Sequence, residues 1–264
     1  MIQVGIQSIG LMAPGLPGWS ESLSCLRGES AYRPDELPPL KPEQLKPNER
    51  RRTTQTIKLA LVTADDALRQ VEKPAELLSV FACTEGDLDI INQICLALTR
   101  DDRPVSPTQF HNSVHNAPAG YWSIGTGYRQ ASSSIGGLFG SFGMGLLEAA
   151  VQCQSEGKPV LLVAYDLPAP DPINQLIGNG THFATAMLLT PDLNTAEVMG
   201  RLKLRPVSGK QATTLTDPTL ESLRVSLPAA RALPLLHALA RMEDVRIVMP
   251  YLPDRSLEVD VALC

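Results

Sequence analysis

The sequence predicts an α/β fold in which one sheet lies between layers of helices. Apolar segments of strand length alternate along the whole chain with segments of helical periodicity, as expected for a sheet covered on both faces. The segment 159–165 is continuously apolar, which is typical of a central strand. The glycine-rich stretch 130–150 predicts a sharp connection from a strand into a helix. We expect a single domain over residues 1–264.

Local patterns place the individual elements. Short, mostly apolar segments are expected to be strands: 2–12, 77–84, 159–165, 183–189, 201–207, 223–227, 245–251 and 257–263. The polar stretch 130–135 before the glycines is also expected to be a strand. The segments expected to be helices share apolar residues at helical spacing: 19–26, 53–71, 85–98, the stretch around Trp122, 141–156 and 229–241. Prolines make 32–49 a surface loop. Ser226 is expected to cap the helix at 229–241, with Pro228 near the start of that helix.

Composition narrows the class of protein. Hydrophobic residues make up 44% of the 264 residues and charged residues 19%, as in a soluble globular protein, and the net charge of −5 argues against a nucleic-acid partner. No apolar run is long enough to span a membrane, and no signal peptide is apparent, so we expect a cytoplasmic protein. No cofactor is expected. The five cysteines lack metal-type pairing and are expected to be reduced thiols: Cys25, Cys83, Cys95, Cys153 and Cys264.

The glycine-rich stretch resembles in outline a turn that carries a nucleophile. Ser141 lies on it, and Asp166 and His182 follow in the Ser, Asp, His order of the α/β-hydrolases. An autonomous hydrolase or acyltransferase that uses Ser141 is therefore one hypothesis. However, Phe139 replaces the first glycine of the G-x-S-x-G motif, and the alternative is that Ser141 only caps the following helix.

Other candidate groups have weaker patterns. Cys83 ends a strand and Cys153 lies on an apolar helix face, and neither has a histidine at a recognisable spacing. His111 and His115 have the spacing of metal ligands but lack a third ligand, so hydrogen-bonded packing at a subunit contact is the alternative that we favour. The run 50–52 is either a solvated loop or a site for an acidic partner.

Two longer motifs carry a family resemblance. The run Ser-Pro-Thr-Gln-Phe-His-Asn-Ser-Val-His-Asn-Ala-Pro-Ala-Gly at 106–120 resembles the N-terminal half of β-ketoacyl synthases. The same holds for Ser141-Phe142 with Gly145-Leu-Leu-Glu-Ala149, for the opening glycines with Ala13-Pro14-Gly15, and for 160–166. Over about residues 1–190 the chain is most similar to the short synthase-like proteins called chain length factors, as in aryl polyene pathways.

The resemblance implies a thiolase-like layered fold. It implies one half of that fold, with a mixed five-stranded sheet between helices, followed by a small α/β remnant at about 200–264. Active synthases carry a nucleophilic cysteine at the helix N-terminus, and counting back along the helix from Gly157 places Gly140 there. A glycine cannot be acylated, so the covalent step of condensation is not expected. His237 lies among leucines and is expected to be a helix-surface or packing residue.

The function that the resemblance implies is non-catalytic. A chain length factor pairs with an active β-ketoacyl-ACP synthase and shapes the tunnel for the growing acyl or polyene chain, in fatty acid or polyketide biosynthesis. A carrier-protein contact is expected at Arg50, Arg51 and Arg52. The residues expected at the interface or the tunnel end are Phe110, His111, His115, Asn116, Trp122, Gln130, Ser132 and Ser134.

Overall fold

The computed structural model describes residues 1–178 and 180–263. Within them the strands are β1 (Ile2–Met12), β2 (Leu78–Ala82), β3 (Ser132–Ile135), β4 (Val160–Asp166), β5 (Phe183–Thr190), β6 (Gly200–Ser208), β7 (Val245–Leu252) and β8 (Arg255–Leu263). The α-helices are α1 (Trp19–Leu26), α2 (Pro47–Arg52), α3 (Gln55–Leu68), α4 (Leu88–Leu98), α5 (Pro107–Asn112), α6 (Ala117–Thr126), α7 (Ser141–Glu156), α8 (Asn174–Ile177), α9 (Pro218–Ser226) and α10 (Leu233–Arg241).

All eight described strands belong to one mixed sheet, in the order β3-β2-β4-β5-β1-β6-β8-β7. β2 is parallel to β3 and β4, and the remaining pairs are antiparallel. The expectation of a five-stranded sheet with a separate remnant was therefore wrong in its strand count. The cause is the length of β1, which pairs with β5 through residues 5–12 and with β6 through residues 2–6. The C-terminal strands thereby continue the same sheet.

Helices cover both faces of the central strands, as the alternation of elements predicted. In β2, Val80 and Ala82 join a core cluster with residues of α1, α7 and α10, whereas Phe81 joins a second cluster with α3 and α6. Successive side chains of a strand point to opposite faces, so a central strand that is apolar throughout feeds both cores. The described residues of β6, β7 and β8 contribute only to the first cluster.

The outer face of β6, β8 and β7 carries charged side chains instead of a helix layer. Glu258 lies at its centre with a fully covered side chain. Arg205, Lys210 and Arg246, themselves 42–55% exposed, form ion pairs with its carboxylate. The hydrogen bond from Lys210 is the main cause that lowers the pKa of Glu258. Basic side chains, not apolar core, cover this carboxylate.

The two edge strands of the sheet differ. At β7, Thr213 donates its backbone N–H to Val248 O (2.8 Å), and Val248 N–H donates to the Thr213 hydroxyl (2.9 Å). A loop segment therefore occupies this edge. β3 pairs on one side with β2, and among the described residues no strand lies on its other side.

Two local predictions failed near the C-terminus. The run 223–227, predicted as a strand, lies at the end of α9, which Asp217 caps through hydrogen bonds to Thr219 N and Leu220 N. The hydroxyl of Ser226 donates to Leu223 O and does not cap the next helix. A five-residue apolar run fits a strand or a buried helix face equally well, and the Asp-Pro helix start decided the outcome.

The described cysteines are all free thiols, as predicted: Cys25, Cys83, Cys95 and Cys153. Cys264 lies outside the described residues. No helix of the described residues is long and apolar enough to cross a membrane.

Candidate functional site

The connection from β3 to α7 has the geometry of a nucleophile elbow. Gly136 and Gly137 follow the end of β3 and lead into Leu138, whose φ is 50°. A 3₁₀ turn over Leu138–Gly140 then runs directly into the 16-residue helix α7. A sharp strand-to-helix turn with a strained residue at its apex is the arrangement on which enzymes place nucleophiles.

Gly140, the predicted counterpart of the nucleophile, is closed to any side chain. It is buried at the start of α7, and a β-carbon built on it would lie 2.2 Å from the backbone oxygen of Tyr251 in β7. Gly143, one turn on, would place a β-carbon 2.3 Å from the backbone oxygen of Pro250. The two glycines therefore let β7 pack directly on the backbone of the helix.

Ser141 stabilises the elbow from inside. Its side chain is buried, and its hydroxyl donates to Leu138 O (2.7 Å) and accepts from Gly137 N–H (3.0 Å). The Thr84 hydroxyl lies 3.0 Å from the hydroxyl oxygen of Ser141. Because one serine hydroxyl has only one proton to donate, these bonds leave it engaged with the loop backbone. Ser141 holds the turn in shape.

Asp166, at the end of β4, joins three segments of the fold. Its carboxylate accepts from Thr84 N–H (3.1 Å) and from Ala229 N–H (2.6 Å), and the Cys83 sulfur lies 3.8 Å from Oδ1. Burial raises the pKa of this carboxyl to about 7, since the backbone hydrogen bonds only partly offset the loss of water. Asp166 therefore links the elbow region to the start of the C-terminal helices.

The structure does not bring Ser141, Asp166 and His182 together as a triad. Among the described residues, no hydrogen bond of Ser141 or Asp166 reaches a histidine. His182 is half-buried; burial lowers its pKa, and nearby Asp89 opposes that shift. The hydroxyl of Ser141 thus has no general base beside it.

The candidate thiols are buried and protonated. Burial raises the pKa of Cys83 well above its ordinary value and that of Cys153, inside α7, to about 12. Neither can serve as a thiolate nucleophile near neutral pH. His237 is half-buried on α10.

The polar run 106–120 lies beside the elbow. His115 places Nε2 2.9 Å from Cys83 O, and its ring lies 3.6 Å from the β-carbon position of Gly136. Phe110 is 68% exposed, and His111 and Asn116 are also exposed. The ring of His111 packs edge-on against that of Tyr121, with centroids 6.4 Å apart.

Trp122 is not an interface residue of this chain. It is 2% exposed and belongs to the core cluster under α3 and α6, where its ring stacks on Tyr128 at a centroid distance of 6.3 Å. The part of the prediction that places it at an interface was wrong, because α6 turns this residue toward α3. Its role at a tunnel end stays a prediction. Two residues on, Ile124 is 61% exposed on the same helix.

Ser132 and Ser134 lie on the edge strand β3, and Gln130 is half-buried just before it. The Ser132 hydroxyl accepts from that of Ser79 on β2 (2.9 Å). Polar side chains of this size leave the strand edge accessible to another chain.

The three arginines of α2 do not form one patch. Arg50 donates to Leu45 O (2.9 Å), Arg51 bonds Asn48, and Arg52 pairs with Glu49 at 3.5 Å. Three consecutive positions on a helix point in directions about 100° apart. They also form a helix, where a loop was expected.

A cavity of about 470 Å³ lies between the elbow and the end of β7. Apolar side chains from both segments line it, with Leu138, Phe139 and Met144 on one side and Tyr251 and Leu252 on the other. Among residues 1–178 and 180–263, no three His, Cys, Asp or Glu side chains are grouped so that they could hold a metal ion.

A sequence model of the family "Beta-ketoacyl synthase, N-terminal domain" matches residues 26–247, which is most of the chain. The chain belongs to this family. The elbow at 136–141 of this family member includes no cysteine. No curated protein matches the sequence.

Solved structures of ketosynthase complexes share the fold of this family member. A ketosynthase in complex with its chain length factor from Xenorhabdus doucetiae is 24% identical, with a TM-score of 0.74 over 98% of this chain and 100% of the other. The ishigamide ketosynthase/chain length factor is 13% identical, with a TM-score of 0.76 over 100% and 99%. A type II ketosynthase complex with an acyl-carrier protein is 11% identical, with a TM-score of 0.76 over 100% and 99%. The thiolase-like fold is thereby confirmed.

Sequence reasoning missed three contributors to the site. Leu138 was not singled out, although two glycines before a helix start were a signal for a bend there. Thr84 was counted only as the end of a strand. The contact of Tyr251 with Gly140 joins residues 111 positions apart in the chain, and no local pattern indicates it.

Proposed function

We propose that this chain is a chain length factor: a non-catalytic subunit that pairs with an active β-ketoacyl-ACP synthase and shapes the tunnel for its acyl or polyene chain. One observation carries the proposal. Large apolar side chains are exposed on α4, on α5 and the turn after it, and on the elbow that follows β3. We call them the apolar end: Ile91, Leu98, Phe110, Val114, Leu138 and Phe139, which are 37–72% exposed.

Three contacts support a continuous apolar end. Gln109 of α5 bonds Gln93 of α4, which holds the two helices side by side. His115, just after α5, lies against the β-carbon positions of Gly86 (3.5 Å) and Gly136 (3.6 Å). The start of α4, the end of α5 and the elbow therefore meet at one place.

The apolar end fits a protein partner. A free strand edge can pair with another chain, and exposed apolar side chains beside it supply the buried area of a stable interface. The solved complexes of similar fold include two that pair a ketosynthase with a chain length factor. An active synthase is therefore the partner that we propose.

The lack of a catalytic nucleophile is part of the same proposal. The elbow has no thiol, the Ser141 hydroxyl holds the loop, and the thiols of Cys83 and Cys153 are buried. With these groups engaged or buried, the chain supports no covalent acyl transfer of its own. Contact with a carrier protein through Arg50, Arg51 and Arg52 stays a prediction.

Co-expression with a neighbouring synthase, followed by size-exclusion chromatography, tests the pairing. We expect the wild-type chain to co-elute with the synthase and Phe110→Asp to weaken the complex by about 30-fold, as for a central interface residue. Phe110 is 68% exposed, so the variant should fold normally. Leu176→Asp is the matched control, because Leu176 is 87% exposed on α8, outside the apolar end.

Two outcomes would contradict the proposal. One is a stable wild-type monomer that does not bind the synthase. The other is an equal loss of binding in Phe110→Asp and Leu176→Asp, which would show that the apolar end is not the contact.

A further inference from the structure

Two buried polar atoms near the end of α5 have no hydrogen-bond partner among the described residues. They are the hydroxyl of Tyr165, which is 0% exposed on β4, and the side-chain oxygen Oδ1 of Asn112, which is 2% exposed at the end of α5. Buried polar groups in folded proteins nearly always have a partner, because an unsatisfied one loses its hydration without compensation. These two groups therefore indicate a molecule bound between them.

The same two side chains line one small cavity, which we call the recess. Its volume is about 10 Å³, which is room for one particle of the size of a water molecule. Thr56 of α3, Asp87 and His115 supply further polar side chains of its wall. A site this small excludes an acyl chain or any other organic ligand.

Both groups have a defined hydrogen-bonding role toward the recess. Asn112 donates from Nδ2 to the backbone oxygen of Arg52 (2.7 Å), and since a carbonyl only accepts, Oδ1 is the atom of this amide that is left to accept a bond. Burial raises the pKa of Tyr165 well above its ordinary value, so its hydroxyl keeps a proton to donate. The occupant must therefore accept from Tyr165 and donate to Asn112.

The charges around the recess favour a neutral occupant. An open cleft of about 340 Å³ adjoins the recess and shares Thr56, Asp87 and Asn112 with it. The wall of this cleft carries two basic and two acidic side chains: Arg52, Lys58, Asp87 and Asp89. The first turn of α3, which has no acidic residue, also lines the cleft, and its partial positive charge offsets the carboxylates further. A cation is not needed for charge balance, and the cleft gives water an entry path.

We propose that the recess binds one ordered water molecule, which bridges the Tyr165 hydroxyl to Oδ1 of Asn112. The water accepts from the first group and donates to the second, and its remaining proton can be donated to Asp87 or Thr56 on the wall. The bridge joins β4 to the last residue of α5, the helix that carries Phe110. A buried water thereby positions the part of the apolar end that α5 contributes.

The sign of the change in Tm on Tyr165→Phe in the full chain tests the bridge. The substitution keeps the ring, which packs edge-on against Phe81 at a centroid distance of 6.5 Å, and removes only the hydroxyl. If this hydroxyl is bonded to water, its loss breaks the bridge, and we expect the Tm to fall by about 3 °C. If it has no partner, its loss removes an unsatisfied buried group, and a Tm that rises would overturn the proposal.

Two control variants calibrate that sign. Tyr128→Phe loses a hydroxyl that donates to Pro74 O (2.7 Å), so its Tm should fall. Ser8 is 1% exposed, its hydroxyl has no partner in the part of the chain that the structure describes, and it lines neither the recess nor the cleft. The Tm of Ser8→Ala should therefore not fall. We expect Tyr165→Phe to follow Tyr128→Phe; a match with Ser8→Ala would contradict the bridge.

Crystals of the wild-type chain test the identity of the occupant. We expect one density peak within hydrogen-bond distance of both Tyr165 Oη and Asn112 Oδ1, without anomalous signal after a soak in RbCl. An anomalous peak there would show a cation in place of water and overturn the assignment, as would the absence of any peak. All these measurements use the chain alone, so they test the bridge whether or not the chain binds a synthase.

Discussion

Two covered carboxylates show how differently the two regions of the sheet are built. Asp166, beside the elbow, is 1% exposed and is bonded by backbone N–H groups without a cation, and burial raises its pKa to about 7. Glu258, on the outer face of the C-terminal strands, is also covered, but by three basic side chains, and its pKa is lowered. The first region excludes charge and the second is organised by it.

The difference follows from what covers each region. Helices pack on both faces of the central strands, so a carboxylate there loses water and gains only amide donors. The C-terminal strands present one face to solvent, where long basic side chains cover a carboxylate and still keep their charged ends hydrated. Apolar packing therefore stabilises the elbow, and ion pairs stabilise the C-terminal face.

The largest expected effect concerns Asp166. With a folded pKa of about 7 and an unfolded pKa of about 3.9, the folded state binds the proton more tightly. The free energy of unfolding should therefore fall by about 4 kcal/mol as the pH rises from about 4 to about 7, and level off above it. Asp166→Asn, which resembles the protonated form, should abolish this slope in urea unfolding measured against pH.

Glu258→Gln is the control for that experiment, because it removes the other covered carboxylate. Between about pH 5 and about pH 7, the range just below the Asp166 midpoint, the unfolding free energy of this variant should change with pH as that of the wild type does. An Asp166→Asn protein that keeps the full slope would show that this carboxyl is not held neutral in the folded state.

The next effect concerns the contact between α7 and β7. Gly143→Ala would place a β-carbon 2.3 Å from Pro250 O, so β7 must move, at a cost of about 2–3 kcal/mol in unfolding free energy. Gly120→Ala, in α6, meets open space and should stabilise the protein by up to about 1 kcal/mol through helix propensity. Equal unfolding midpoints for the two variants in urea would contradict close packing at the elbow.

The smallest effect concerns Glu258. Glu258→Gln leaves Arg205, Lys210 and Arg246 close together without the carboxylate that neutralised them. The Tm should fall slightly, because these exposed charges are partly screened by solvent. Raising the ionic strength from about 0.05 M to about 1 M should raise the Tm of the variant relative to that of the wild type. A variant with the salt response of the wild type would contradict an electrostatic role.

Local signals in the sequence predicted the elements but not how distant ones meet. The helix at 141–156 and the strand at 160–166 follow from periodicity and from glycines at their ends, and both are present. The eight-stranded sheet depends on β1 pairing with two partners that follow it by more than 170 positions. Pairing over such distances leaves no mark on a local pattern.

The candidate site shows the same limit. The sequence placed Ser141 on the elbow and Ser132 on β3, because strand and helix boundaries fix them. It did not show that Trp122 is buried against α3, since helical spacing alone does not say which neighbour a face packs against. The assignment of residues 200–264 as a divergent extension stays a prediction.

One consequence of the sheet edges concerns the size of the assemblies that the chain can form. Thr213 already bonds the outer edge of β7 at Val248, whereas among the described residues no strand lies on the outer side of β3. A subunit with a single open edge ends a continuous sheet wherever it is added. Two chains paired through β3 would leave only the partly blocked edge of β7 for a third chain, which disfavours growth of the sheet into a filament.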